Sequence, residues 1–217
     1  MSWFLKWMAS NGSVFLLVSS GMLLLRWRYL TSCLRFVALF IGLAILGEIV
    51  SYITGHLLHV HNLYILHGYT IVEFLLIALF YRSFFNGFYP RWLVPALIAG
   101  FLLIAALSTI FLQQLSDSNA YVRGLESLLV IGLALLCFYK ILTELLTKRL
   151  EKDPVFWINT GFLLYFAGNL FLFLLSNALL KQPHQQLSFM AWGLHALLMA
   201  LMHVFIGIGL WFSPNLR

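Results

Sequence analysis

Residues 34–54 read L-R-F-V-A-L-F-I-G-L-A-I-L-G-E-I-V-S-Y-I-T, and nothing between Arg35 and Glu48 is charged. As a helix this stretch rises about 31 Å at ~1.5 Å per residue. That matches a bilayer hydrocarbon core of about 30 Å. Six more apolar stretches of similar kind fall at roughly 8–25, 63–82, 92–112, 122–146, 155–178 and 187–212. The expectation is an all-α polytopic membrane protein: one domain over residues 1–217, a bundle of seven transmembrane helices. The first stretch is the weakest, because Asn11, Gly12, Ser13, Ser19 and Ser20 dilute it. Lys6 is a lone charge with no A-x-A-like site after it, so 8–25 reads as a first span and not a removed leader.

Composition supports this and excludes much else. The chain has 217 residues, of which 62% are hydrophobic and 9% charged. Soluble domains carry about 25% charged residues, so this one cannot cover a water-facing surface. Its 20 Phe, 9 Tyr and 7 Trp suit a lipid-facing protein. The net charge of +6 comes without a basic run on any soluble face, so nucleic acid is not an expected partner.

The positive charge is topological. Ten of the 13 Lys and Arg residues fall on alternate connectors, their helix ends or the C-terminus, among them Arg26, Arg28, Arg35, Arg82, Arg91, Lys140 and Lys152. Lys6, Arg123 and Lys181 lie on the other side. Positive residues stay inside, which places the N-terminus outside and the C-terminus in the cytoplasm. Cys33 and Cys137 then lie near the cytoplasmic side, where free thiols are expected.

With that orientation, the intramembrane polar residues gather in the outer half. Glu48 and Ser51 lie toward the outer end of the second span, His67 and Glu73 on the third, Arg123 and Glu126 at the outer start of the fifth. Asn169 is past the middle of the sixth and His195 two turns down the seventh. Charged groups in a bilayer face the bundle interior or a water-filled cavity, so these eight are the candidate ligand-binding residues of an outward-opening pocket. Arg123 and Glu126, at i and i+3, can also simply pair with each other. On the seventh span Ser188, Trp192, His195, Met199 and His203 share one face. The inner half holds His203, the snorkelling candidates Lys140 and Glu144, and little else. Pro95 is a candidate kink in the fourth span.

The outer loop 56–61 carries His56, His59 and His61. His56 and His59, at i and i+3, could share a metal completed by His67, His184 or a carboxylate, with zinc the alternative to no cofactor at all. They can equally be interfacial histidines in water. No catalytic constellation is complete.

Three resemblances attach to these residues. N-L-Y-I-L-H-G-Y-T-I-V-E-F-L-L (62–76), F-W-I-N-T-G-F-L-L-Y-F-A-G-N (156–169) and W-G-L-H-A-L-L (192–198) resemble a group of uncharacterised bacterial seven-helix inner-membrane proteins, often encoded near sensor histidine kinases. That resemblance implies a bacterial inner membrane and a signalling context. Ser51 with His56, and His195 or His203, are similar to the metal-site positions of the alkaline ceramidase and adiponectin-receptor superfamily. However, His195 and His203 stand about 12 Å apart along one helix, too far for one zinc. Gly47-Glu48 and Gly168-Asn169 occupy corresponding places in two three-helix halves, as in 3+1+3 transporters of the SWEET type.

Three functions follow as expectations. The first is a sensor or accessory protein that binds a small ligand, lipid or proton and signals to a membrane or cytoplasmic partner. The others are a small-molecule or ion transporter and a metal-dependent lipid hydrolase. The lipid bilayer is the expected partner, with a second copy of the chain a further one. Gly42, Gly47, Gly207 and Gly209 could pack a second copy or pack within the bundle.

Overall fold

The computed structural model describes residues 2–54, 63–108, 120–144, 149–175 and 185–213. Every regular element among them is helical. In chain order these are α1 (Ser2–Asn11), α2 (Leu16–Arg26), α3 (Ser32–Tyr52), α4 (Leu63–Phe85), α5 (Leu93–Leu107), α6 (Ala120–Glu144), α7 (Pro154–Leu174) and α8 (Gln185–Trp211). Six spans are long and apolar enough to cross a membrane: α1 and α2 taken together, then α3, α4, α6, α7 and α8. The described part of α5 has 15 residues, about 22 Å of helix, and falls short of that length.

The first span runs longer than its apolar core suggested. A 3-10 turn at Gly12–Phe15 joins α1 to α2. The small and polar residues that weaken its hydropathy have structural uses. A Cβ on Gly12 would sit 2.8 Å from that of Ala196 on α8, so glycine is what lets the two backbones approach. Ser19 bonds His203 of α8 at 2.9 Å. Pro95 does not kink α5. It is the third residue of that helix, where a backbone N–H has no intrahelical partner to lose. Asp153 caps α7, accepting from the N–H groups of Val155 at 2.8 Å and Phe156 at 3.3 Å. Pro154 follows at the first helical position, where its ring is already suited to the helix.

The helices form a ring. α8 packs on α1, α2 and α7, α7 on α6, α6 on α4, α4 on α3, and α3 returns to α2. α5 stands outside it, against α4 and α6. Large apolar side chains such as Leu24, Leu39, Leu46, Leu103, Leu135 and Phe171 are exposed on the perimeter. Lipid is as apolar as they are, so the exposure costs nothing there. Trp27, Trp92, Tyr139 and Trp211 are exposed at one end of the bundle, and Trp3, Tyr52 and Tyr121 at the other. Two such girdles are what a membrane interface selects at each surface.

At the end that carries Arg26, Arg35, Arg82 and Arg91, aromatic rings plug the ring of helices. Phe40, Phe80, Tyr81 and Phe162 meet there, with Phe162 5.3 Å from Phe40 and 5.9 Å from Phe80 between centroids. This half is more polar than its sequence suggests. The Tyr81 hydroxyl donates to Asn159 Oδ1 at 2.7 Å, and Asn159 Nδ2 donates to the Ala134 carbonyl at 3.1 Å. Those two bonds tie α4, α7 and α6 together. Lys140 does not snorkel. It is buried, and its ammonium donates to the carbonyls of Phe84 and Phe85 at 2.8 and 2.9 Å. The C-terminal carbonyls of α4 lack intrahelical partners, and a nearby ammonium satisfies them better than a distant interface would.

Candidate polar cavity

The aromatic plug fills only half of the ring. Above Phe40 a cavity of about 240 Å³ remains. Each helix of the ring from α2 onward contributes to its wall: Leu16 from α2, Glu48 and Ser51 from α3, Tyr69 and Glu73 from α4, Arg123 from α6, Tyr165 from α7, and His195 and His203 from α8. α5 contributes none.

Arg123, Glu73 and Glu126 form one charged cluster at its wall. Arg123 Nη1 donates to Glu73 of α4 and to Glu126 one turn along its own helix, the latter at 3.0 Å. Arg123 stands near the N-terminus of α6, where the positive end of the helix dipole opposes a cation. The two carboxylates offset that. The guanidinium also lies over the Phe173 ring at 4.7 Å, a cation–π contact strengthened by desolvation. Tyr69 closes the cluster from the α4 side, with its hydroxyl in reach of Glu73. Its ring rests on Gly47 of α3, where a Cβ would stand 3.0 Å from Tyr69 Cε2. Among the described residues Glu126 Oε1 has no hydrogen-bond partner.

His195 is held in a defined tautomer. Asn169 Nδ2 donates to the Tyr165 carbonyl at 2.9 Å, which fixes its Oδ1 as the acceptor facing His195 Nδ1 at 3.2 Å. The Nδ1 therefore carries the hydrogen in the neutral ring, and Nε2 is an acceptor. The rings of Tyr165, Phe173 and Trp192 each lie 5.7 Å from the imidazole. They lock its orientation.

Glu48 differs from every other charged group of the cavity. It is exposed at the wall with Ser51, one helical turn away. Among the described residues no hydrogen bond or ion pair reaches its carboxylate.

No family model, curated protein or solved structure matches this chain. The site must be read from its own geometry.

Of the eight residues singled out from sequence, the cavity wall includes Glu48, Ser51, Glu73, Arg123 and His195. Glu126 and Asn169 are one bond behind it, each holding a wall residue in place. His67 is buried on α4 and is not part of the wall. Of the metal candidates, His56 and His59 lie outside the described residues. Among the described residues no three His, Cys, Asp or Glu side chains come together to hold a metal ion. Tyr69, Tyr165, Met199 and Met202 also line the cavity. Sequence reasoning missed the two tyrosines because aromatics abound in this chain and nothing local distinguishes these two. The seventh-span stripe did point inward: His195, Met199 and His203 all reach the cavity.

Chemically the cavity is rich in acceptors. Among the described residues, three carboxyl groups stand in or behind its wall against one guanidinium already engaged by two of them. The imidazole Nε2 adds another acceptor, and aromatic faces and thioethers supply the rest.

Proposed function

We propose that the protein is a seven-span membrane sensor or accessory protein that binds a small ligand in the outer half of its bundle. The N-terminus lies outside and the C-terminus in the cytoplasm, with the basic inner connectors facing a signalling partner. The ligand class that suits the wall is a protonated amine with a compact apolar body. Glu48 carries the reading: a carboxylate without an ion pair among the described residues, set on a preformed cavity with an acceptor imidazole and aromatic faces. Carboxylates at such depth mark ligand counter-ions or ion pathways, and aromatic rings attract an ammonium.

The contact between α4 and α5 supports α5 as the seventh span. Phe74 and Phe101 meet at 4.2 Å, so α5 retraces α4 from the Arg-rich end past its middle. A marker fused to the C-terminus will then report the cytoplasm; an exported marker removes both the seven-span count and the orientation.

The ligand reading is tested by thermal unfolding of the purified chain with small alkyl- and arylalkylamines, and with isosteric alcohols and carboxylates. Amines should raise the transition and the other two should not. Glu48→Gln should leave the unliganded transition in place and weaken the amine response at least ~10-fold, the scale of one lost charge-assisted contact. Stabilisation by carboxylates instead, or an amine response indifferent to Glu48→Gln, sinks the proposal.

One observation favours a transporter as the second reading. α5 stands outside a ring made of three spans before it and three after it, the arrangement of a 3+1+3 carrier. Amine uptake into proteoliposomes separates the two readings, since a sensor moves nothing across the bilayer.

A further inference from the structure

A second pocket, of about 210 Å³, lies at the opposite end of the bundle, at the turn joining α4 to α5. Arg82, Asn86, Gly87, Tyr89 and Arg91 are in its wall. Asn86 and Gly87 both have positive φ, at 28° and 88°, and this tight reversal brings Arg82 and Arg91 to one cavity although nine positions separate them. Arg82 and Arg91 are both exposed residues with guanidiniums. Among the described residues neither has a hydrogen bond or ion pair, and no carboxylate lines the pocket.

The end of α4 would ordinarily repel an anion, because a helix C-terminus carries partial negative charge. Here the Lys140 ammonium, which also stands 3.6 Å from Glu144, sits on the carbonyls of Phe84 and Phe85 and offsets part of it. Tyr89 braces the opposite wall by donating to the Leu136 carbonyl at 2.8 Å. The depth is that of the interface: Trp92 follows Arg91 directly, and Tyr139 abuts Phe88 of the turn at 6.2 Å. Both belong to the aromatic girdle at this end. Exposed Leu135, one turn along α6 from Tyr139, offers apolar surface toward the bilayer centre.

We propose that this pocket holds the phosphate of an anionic phospholipid, gripped by the Arg82 and Arg91 forks while its chains lie along α6. Guanidinium geometry matches phosphate bidentately, and basic pockets between spans bind anionic headgroups. The volume is below that of a drug-sized site and suits a headgroup.

The test uses the full chain in phosphatidylcholine nanodiscs, with phosphatidylglycerol added as the probe and sodium phosphate tested separately on the detergent-solubilised chain. Phosphatidylglycerol should stabilise the protein and remain bound in native mass spectra. Each Arg→Gln change at 82 or 91 should weaken that binding roughly fivefold, and the pair roughly 25-fold. The Arg82→Lys/Arg91→Lys pair keeps the charge, guards against a misfolded Gln variant, and should still weaken binding by losing the fork. Arg28→Gln, an exposed arginine at the same end but outside the pocket, should change nothing. Equal loss with Arg28→Gln, wild-type binding by the Lys pair, or full stabilisation by millimolar sodium phosphate alone would each overturn the proposal. The last result would make the pocket a free-phosphate site.

Discussion

The Arg123 cluster makes a quantitative demand on stability. Arg123→Gln removes the guanidinium shared by Glu73 and Glu126 and strips its contact with the Phe173 ring. Glu73 and Glu126 are 2% and 0% exposed, so neither can turn to water. A hydrogen bond to a charged group contributes about 1.5–3 kcal/mol, and two are lost. Removing one partner of a buried ion pair costs about 3–5 kcal/mol overall, since an uncompensated charge is left behind. Arg123→Gln should therefore destabilise the protein by ~3–5 kcal/mol. Glu73→Gln keeps the Arg123–Glu126 bond and should cost ~1.5–3 kcal/mol. The triple variant Arg123→Met/Glu73→Gln/Glu126→Gln leaves no charge to compensate and should return to within ~2 kcal/mol of the wild type. The assay is reversible unfolding in mixed micelles with increasing SDS, read by tryptophan fluorescence. Strict additivity would refute the reasoning, because residues sharing one network couple by about 0.5–3 kcal/mol. So would an Arg123→Gln cost below ~1 kcal/mol.

Two glycines give opposite signs. A Cβ at Gly209 of α8 would lie 2.7 Å from the Pro154 carbonyl oxygen of α7, whereas one at Gly42 of α3 meets nothing within 4 Å. Gly209→Ala should cost ~1–3 kcal/mol through overpacking, and Gly42→Ala should be neutral or add up to ~1 kcal/mol through helix propensity; the same unfolding assay reads both, and a stabilised Gly209→Ala would contradict the α7–α8 packing. Lys140→Met takes the ammonium from the Phe84 and Phe85 carbonyls, of which Phe85 keeps the Phe88 N–H at 2.8 Å, and should cost ~1.5–3 kcal/mol, with the loss seen first as faster hydrogen exchange at the α4–α5 turn. Asp153 supplies a pH test: burial pushes its carboxyl above the ordinary range despite the Val155 and Phe156 N–H bonds that pull it down. The folded state then holds that proton more tightly than the unfolded chain, so stability falls as pH rises from the usual carboxylate range through the raised value. Asp153→Asn keeps a capping side chain and should flatten that slope; an unchanged pH profile would show that Asp153 is not its source.

How far sequence reading reached follows from the physics of lipid. A segment such as 34–54 is apolar on every side, so its length and its flanking charges are legible. The orientation of its faces is not, because lipid tails and the bundle core are equally apolar and leave little amphipathic signal. Polar residues are the exception. A bilayer offers them no partners, so Glu73, Arg123, Asn169 and His195 had to face inward, and they do. The Arg123–Glu126 pair was local, one helical turn apart, and could be read directly. That Glu73 shares the same guanidinium could not be read, since 50 positions of chain and a helix-to-helix contact lie between them.

By itself, the sequence determined a bundle of apolar helices, six of which reach membrane-crossing length among the described residues, and the half in which its charges gather. Only the tertiary structure decided that Glu48 alone among those charges lacks a partner among the described residues, that Lys140 closes the end of α4, and that Tyr69 and Tyr165 belong to the cavity. The division has one cause. Crossing a bilayer constrains each helix separately through its own backbone and composition, while pairing a buried charge depends on which helix stands beside it and at what rotation.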